Sequence, residues 1–258
     1  MASHPWYSVF ASRPAASVRL YCLPCAGGSA EMFRPWADWL PPEIELRAIK
    51  LPGRHARHPR PAFADFDTAG AELAEALGPE LEPPYALFGH SMGALIAYRM
   101  IRALGPRGFA PPSLYVVASC LVHGIPVDRL PDPDESDERF IDTLRQLGGM
   151  TPEALADPEV LAFTLPVLRA DFRLCRSYIY RTGESPLRVP LRVFGGATDT
   201  VTPLEQLATW REHTRHFLGM RSFPGDHFFL RDEVGGVVGA VVDDITALSR
   251  QSAISGSP

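Results

Sequence analysis

Nowhere does the chain hold an uninterrupted apolar stretch long enough to cross a membrane. Its start, Met1-Ala2-Ser3-His4-Pro5-Trp6, has neither the basic segment nor the apolar core of a secretory signal. Basic excess is also lacking: 25 Lys and Arg face 30 Asp and Glu, a net charge of −5, which argues against a general nucleic-acid binder. Four cysteines in 258 residues are too few for a disulfide scaffold. Cys22-Leu23-Pro24-Cys25 is formally C-x-x-C, but no second ligand pair at zinc-finger spacing follows nearby. A redox pair needs its first cysteine exposed at a helix N-terminus, whereas Cys22 ends an apolar run and reads as a buried strand residue. Neither G-x-G-x-x-G nor the lysine of a P-loop is present. What remains is an enzyme-sized chain with no call for nucleic acid or membrane, expected in the cytoplasm. Hydrophobic residues at 46% suffice for one large domain spanning residues 1–258.

Near-continuous apolar runs read as strands at Val18 to Leu23, Leu46 to Leu51, Tyr85 to Gly89, Leu114 to Ser119 and Leu191 to Gly195, with a less regular one from Phe217 to Phe223. Helical patterns separate them: Glu31 to Leu40, Thr68 to Leu77, Ala94 to Leu104, Leu204 to His213 and Val234 to Leu248. This alternation predicts a doubly wound, mostly parallel α/β sheet. One interval breaks it. Between Ser119 and Leu191 the spacing is helical only, with Phe140, Ile141, Leu144 and Leu147 ending at Gly148-Gly149. A second stretch runs from Pro158 to about Tyr180, and Pro166 is expected to kink or divide it. An insertion over about residues 124–188 would roof a site at the carboxyl ends of the strands.

Between a strand and a helix stands Gly89-His90-Ser91-Met92-Gly93. G-x-S-x-G in that setting is a nucleophile elbow, the turn of an α/β-hydrolase fold that lifts a serine hydroxyl clear of the backbone. A serine hydroxyl needs a base, itself oriented by an acid, and on this fold they follow in the order serine, acid, histidine. Asp199 lies just past one strand and His227 just past the last, so Ser91, Asp199 and His227 are the candidate triad. Asp226 adjoins His227, but adjacent side chains diverge, and His90 points away from the serine. An oxyanion needs two donors: the N–H of Met92, after the nucleophile, and one from the loop Pro24-Cys25-Ala26-Gly27-Gly28, for which Ala26 is the choice.

Four ordered motifs, Leu23-Pro24-Cys25-Ala26-Gly27-Gly28, Leu51-Pro52-Gly53-Arg54, Gly89-His90-Ser91-Met92-Gly93-Ala94 and Pro224-Gly225-Asp226-His227-Phe228, resemble those of the type II thioesterases that accompany polyketide synthases and non-ribosomal peptide synthetases. The likeness extends to Leu168-Arg169-Ala170-Asp171-Phe172 and Trp210. It implies an α/β-hydrolase with a helical lid that acts as a monomer without metal or redox cofactor. It also implies hydrolysis of acyl groups from the phosphopantetheine arm of an acyl or peptidyl carrier protein, clearing stalled or misprimed chains. The family's triad falls on Ser91, Asp199 and His227, and its oxyanion positions on Ala26 and Met92. A departure is Ser119-Cys120-Leu121-Val122-His123, where relatives often carry a more basic segment. Arg54, Arg57 and Arg60, with His55 and His58, crowd one loop, a candidate contact for an acidic carrier or the phosphopantetheine phosphate and equally a solvated basic loop. A general carboxylesterase would use the same triad, and a ligand-binding protein could be built on the same fold.

Overall fold

The computed structural model describes residues 4–54 and 60–255. The apolar runs assemble into one sheet of Tyr7–Ser8 (β1), Val18–Leu23 (β2), Ile44–Ile49 (β3), Tyr85–His90 (β4), Leu114–Ala118 (β5), Leu187–Gly196 (β6) and Thr214–Phe223 (β7). Their spatial order is β1-β3-β2-β4-β5-β6-β7. Among the described residues only the two-residue β1 runs antiparallel, pairing Tyr7 with Ile49. All other pairs are parallel. Parallel neighbours require crossovers. These are supplied by the helical segment Ala30–Asp38 between β2 and β3, Phe66–Leu77 (α1), Met92–Leu104 (α2), the insertion helices Asp137–Leu147 (α3), Pro152–Ala156 (α4) and Pro158–Arg176 (α5), and Leu204–Leu207 (α6); Val234–Ser255 (α7) is the last described element. This is the α/β-hydrolase fold.

Strand side chains alternate between two buried faces, which explains why the strands read as continuous apolar runs. Tyr21, Leu23, Tyr85, Leu87, Tyr115 and Val117 share a core with Leu73 of α1 and Ile96 of α2. On the opposite face Leu20, Cys22, Phe88 and Val116 meet Phe33 and Trp36, together with Val237 and Val241 of α7. No helix among the described residues is long and apolar enough to cross a membrane.

The structure departs from the sequence reading in its short elements. Ala30–Asp38 winds as a 3-10 helix rather than an α-helix, and it contains Pro35, which has no N–H to donate. Ala208–His213 is likewise 3-10 beyond the single turn of α6. β1 and α4 are too short to leave a periodic trace. Pro166 does not divide α5, which runs through it and ends at Arg176. Asp157 starts α5 by accepting from the N–H groups of Glu159 and Val160, and Gly148 ends α3 with φ 71°. The insertion carries a small core of its own, built on Leu130, Phe140, Leu144, Leu165, Leu168 and Phe172.

Candidate active site

β4 ends at His90 and α2 begins at Met92, so the whole turn falls on Ser91, whose backbone has φ 52° and ψ −117°. A non-glycine residue held there stores on the order of 1–3 kcal/mol and persists only where its surroundings fix it. They do: the Ser91 N–H donates to the Ala118 carbonyl at 2.8 Å, and the Ala94 N–H donates back to Ser91 at 3.0 Å. The two glycines of the motif answer to space. A β-carbon on Gly89 would collide with the Ala94 backbone, and one on Gly93 with the Leu23 carbonyl.

Asp199, in the loop after β6, and His227, in the loop after β7, reach this turn from neighbouring strands. Their loops are laced together: the N–H groups of Ala197 and Thr198 donate to the carbonyls of Phe223 and Gly225 at 2.8 and 2.9 Å. Gly196 lies so close to the Asp226 carbonyl that no side chain fits there. His227 Nδ1 stands 2.9 Å from Asp199 Oδ2, and its Nε2 stands 3.0 Å from Ser91 Oγ. A carboxylate only accepts, so Nδ1 carries the proton and Nε2 is left to accept from the serine hydroxyl. Asp199 Oδ1 accepts the N–H groups of Val201 and Thr202, and Oδ2 also accepts the Thr202 hydroxyl at 2.6 Å. Burial alone would raise this carboxyl, but the hydrogen bond and charge of His227, joined by Thr202, hold it far below the usual carboxylate range. Asp226 faces elsewhere, accepting the Phe228 N–H.

Ala26 lines the pocket beside Ser91, and Met92 opens α2. Among the described residues neither of their N–H groups donates to another protein group. The pocket holds about 1140 Å³ of empty space, open mouth included, and its walls are largely apolar. Phe33 and Trp36 come from the core side; Leu144, Leu147, Leu168 and Phe172 come from the insertion. That insertion is tied to the loops beneath it. Arg129 donates to the Thr200 carbonyl beside Asp199 at 3.0 Å, and Arg231, in the turn after His227, donates to the Gly149 carbonyl at 2.7 Å.

The basic loop fares differently from the sequence reading. Arg54 does not point outward to meet a carrier: its side chain, 12% exposed, forms a two-pronged ion pair with Asp171 of α5. Arg60 pairs with Glu72 at 2.7 Å and stacks over Trp6. Arg57, His55 and His58 lie outside the described residues. Cys22 and Cys25 are buried free thiols, and burial pushes Cys25 up to about 11, so neither is poised as a thiolate.

Sequence reasoning gave no role to three residues here: Asp171, noted only within a shared motif, Thr202, and His90, set aside as pointing away from the serine. Asp199-Thr200-Val201-Thr202 does carry a local signal, since an Asp followed by Thr three residues on closes its own turn. His90 is fully buried, and its Nε2 lies 2.8 Å from the His227 carbonyl. A carbonyl only accepts, so His90 is the donor and is held neutral while it braces the His227 loop. Burial and the neighbouring His227 push its pKa down to about 3. Unfolded, it would take up a proton near its ordinary value of 6.5. The unfolded chain therefore gains protons first on acidification, and folded stability falls with pH below that value. Between about pH 6.5 and 4.5 the native protein should lose ~2 kcal/mol more than His90→Gln, which keeps a donor but does not titrate. Urea denaturation of both at the two pH values checks this; parallel losses would contradict it.

The thioesterase domain family matches residues 18–247. Among relatives, the chain is 36% identical to gramicidin S biosynthesis protein GrsT of Aneurinibacillus migulanus over 87% of this chain and 88% of that one. It is 38% identical to linear gramicidin dehydrogenase LgrE of Brevibacillus parabrevis over 84% of each chain. The structure of YbtT, a type II thioesterase from the yersiniabactin NRPS/PKS biosynthetic pathway, superposes with a TM-score of 0.83 at 29% identity, covering 94% of this chain and 99% of that one. With a serine elbow on an α/β-hydrolase sheet and a family match that spans most of its length, the chain belongs to the thioesterase family, among the type II thioesterases its motifs resemble.

Proposed function

We propose that the protein hydrolyses the thioester joining an acyl or peptidyl chain to the phosphopantetheine arm of a carrier protein. In that role it would clear stalled or misprimed chains from a polyketide synthase or non-ribosomal peptide synthetase. The observation that carries the reading is the unbroken hydrogen-bonded line from Asp199 through His227 to Ser91, opening into an apolar pocket beneath a helical insertion. In this reading His227 Nε2 takes the hydroxyl proton as Ser91 Oγ bonds to the thioester carbonyl carbon. Asp199 holds the imidazolium in place. The Ala26 and Met92 N–H groups receive the oxyanion. The C–S bond breaks, and the thiol leaves with the proton from His227. Water then gives a proton to His227 as its oxygen bonds to the acyl carbon; the bond from that carbon to Ser91 Oγ breaks, and His227 returns the proton to Oγ, freeing the acid and restoring the resting serine. A thiolate is a good leaving group, so proton donation matters less in the first half than it would for an amide. The insertion acts as a lid whose apolar side chains receive the acyl chain.

Nothing in the loop after β2 offers the G-x-G-x-x-G spacing of a dinucleotide site, so the dehydrogenase named for LgrE is not carried over. The carboxylesterase reading is the competitor that shares the chemistry. With one acyl group presented as acyl-carrier protein and as a matched oxygen ester, kcat/KM for the carrier thioester should be greater by about a hundredfold, ~2.7 kcal/mol of transition-state binding. Equal rates, or a faster oxygen ester, would favour a general esterase.

A further inference from the structure

Asp171 lies on α5 of the insertion, only 3% exposed, and is not needed for proton transfer at Ser91. Its Oδ2 accepts the Gly27 N–H at 2.7 Å and Arg54 Nη2 at 2.6 Å, while Oδ1 accepts Arg54 Nη1 at 2.7 Å. Arg54 Nε, in turn, donates to the Gly28 carbonyl at 3.1 Å. The turn between these contacts is closed by the Gly28 N–H on the Cys25 carbonyl at 3.0 Å. Gly27 sits at φ 71°, and Leu168, one turn before Asp171, packs on it so closely that a β-carbon would clash. The segment Cys25–Gly28 is thus gripped at two backbone groups by one ion pair and pressed from above by the same helix. Ala26 stands immediately before the first grip, inside the turn closed by Cys25 and Gly28, and lines the pocket beside Ser91 with no protein acceptor for its N–H among the described residues. A buried ion pair is a weak source of stability, so its value here lies in geometry.

We propose that Asp171 and Arg54 are positioning residues for the oxyanion donor: α5 holds the Ala26 N–H at the reacting carbonyl only while the insertion is seated on the core. The proposal rests on the assignment of Ala26 as that donor. It makes the roof of the pocket part of the catalytic apparatus, because lifting α5 withdraws the carboxylate that fixes the turn.

The test uses the full-length protein with Asp171→Asn and Arg54→Lys, the second keeping the buried charge neutralised while losing the fork that reaches Gly28. On a small acyl thioester, Asp171→Asn should lower kcat ten- to about a hundredfold with KM within about threefold, as expected of a misplaced group near the reacting atoms. Affinity for a boronate transition-state analogue should fall in parallel. Backbone amide exchange at Gly27 should accelerate at least about tenfold while α2 and α7 keep their protection. Arg54→Lys should move each quantity the same way by less. Unchanged exchange at Gly27, or faster exchange with kcat intact, would overturn the proposal and leave thioester hydrolysis by Ser91 standing. Wild type failing to cleave any acyl thioester would instead bring down the underlying assignment, a result visible without either variant.

Discussion

Ser91→Ala should abolish turnover, with kcat for acyl thioester hydrolysis falling on the order of 10⁶-fold. The reason is specific to this turn. Ser91 Oγ is the atom that His227 Nε2 faces at 3.0 Å, and the backbone that presents it is held by bonds to Ala118 and Ala94 that alanine keeps. The variant therefore loses the nucleophile while retaining fold and pocket. Alanine meets the same positive φ at about the same cost as serine, so a large change in denaturation midpoint is not expected. Intact-mass measurement over time is the direct check: acyl-loaded carrier protein should persist with the variant and deacylate with the wild type. A residual rate within about tenfold of wild type would place the nucleophile elsewhere.

Asp199→Asn should cost about 10⁴-fold in kcat. Oδ1 of Asp199 accepts two backbone N–H groups, so the asparagine oxygen is held on that side. Its NH2 group must then take the place of Oδ2, which in the native protein accepts from both His227 Nδ1 and the Thr202 hydroxyl. A donor facing Nδ1 turns the imidazole into the tautomer with its proton on Nε2, directed at Ser91, where no base is left. Shape and charge-neutral packing survive, so unfolding should change far less than rate. Because hydrogen bonds hold the native carboxyl far below the usual carboxylate range, Asp199 should contribute no limb to the rate profile above about pH 4. Wild-type activity declining through the ordinary carboxylate range with unchanged fold, or an Asp199→Asn variant losing less than about tenfold, would remove Asp199 from this role.

Much of the fold was legible before any coordinates. The runs Val18–Leu23, Tyr85–His90 and Leu114–Ala118 are almost wholly apolar because both sheet faces are covered, and that condition writes itself into consecutive residues. The elbow was legible for the same local reason, since Gly89 and Gly93 are demanded by backbone within a few residues or on the next strand. Thr202 could have been found from its spacing to Asp199. The motif that holds Asp171 was visible but its pairing was not, because its partners, Gly27 and Arg54, lie far away in the chain and reach it only when the insertion folds back over the sheet. The partner of Arg54 was hidden for that same reason: a basic loop shows no sign in the sequence of the distant carboxylate that pairs with it.

By itself, then, the chain's order of residues determined the alternation of strand and helix, the turn that presents Ser91, and the serine, acid, histidine order, all consequences of backbone conformation and burial acting over short spans. Tertiary structure alone decided which side chains meet. It brought the loops after β4, β6 and β7 together at the carboxyl ends of their parallel strands, paired Arg54 with Asp171, and set α5 on the Ala26–Gly28 turn. Hydrogen bonds form only at about 3 Å, so partners hundreds of atoms apart along the chain are chosen by packing of the whole and not by any local rule.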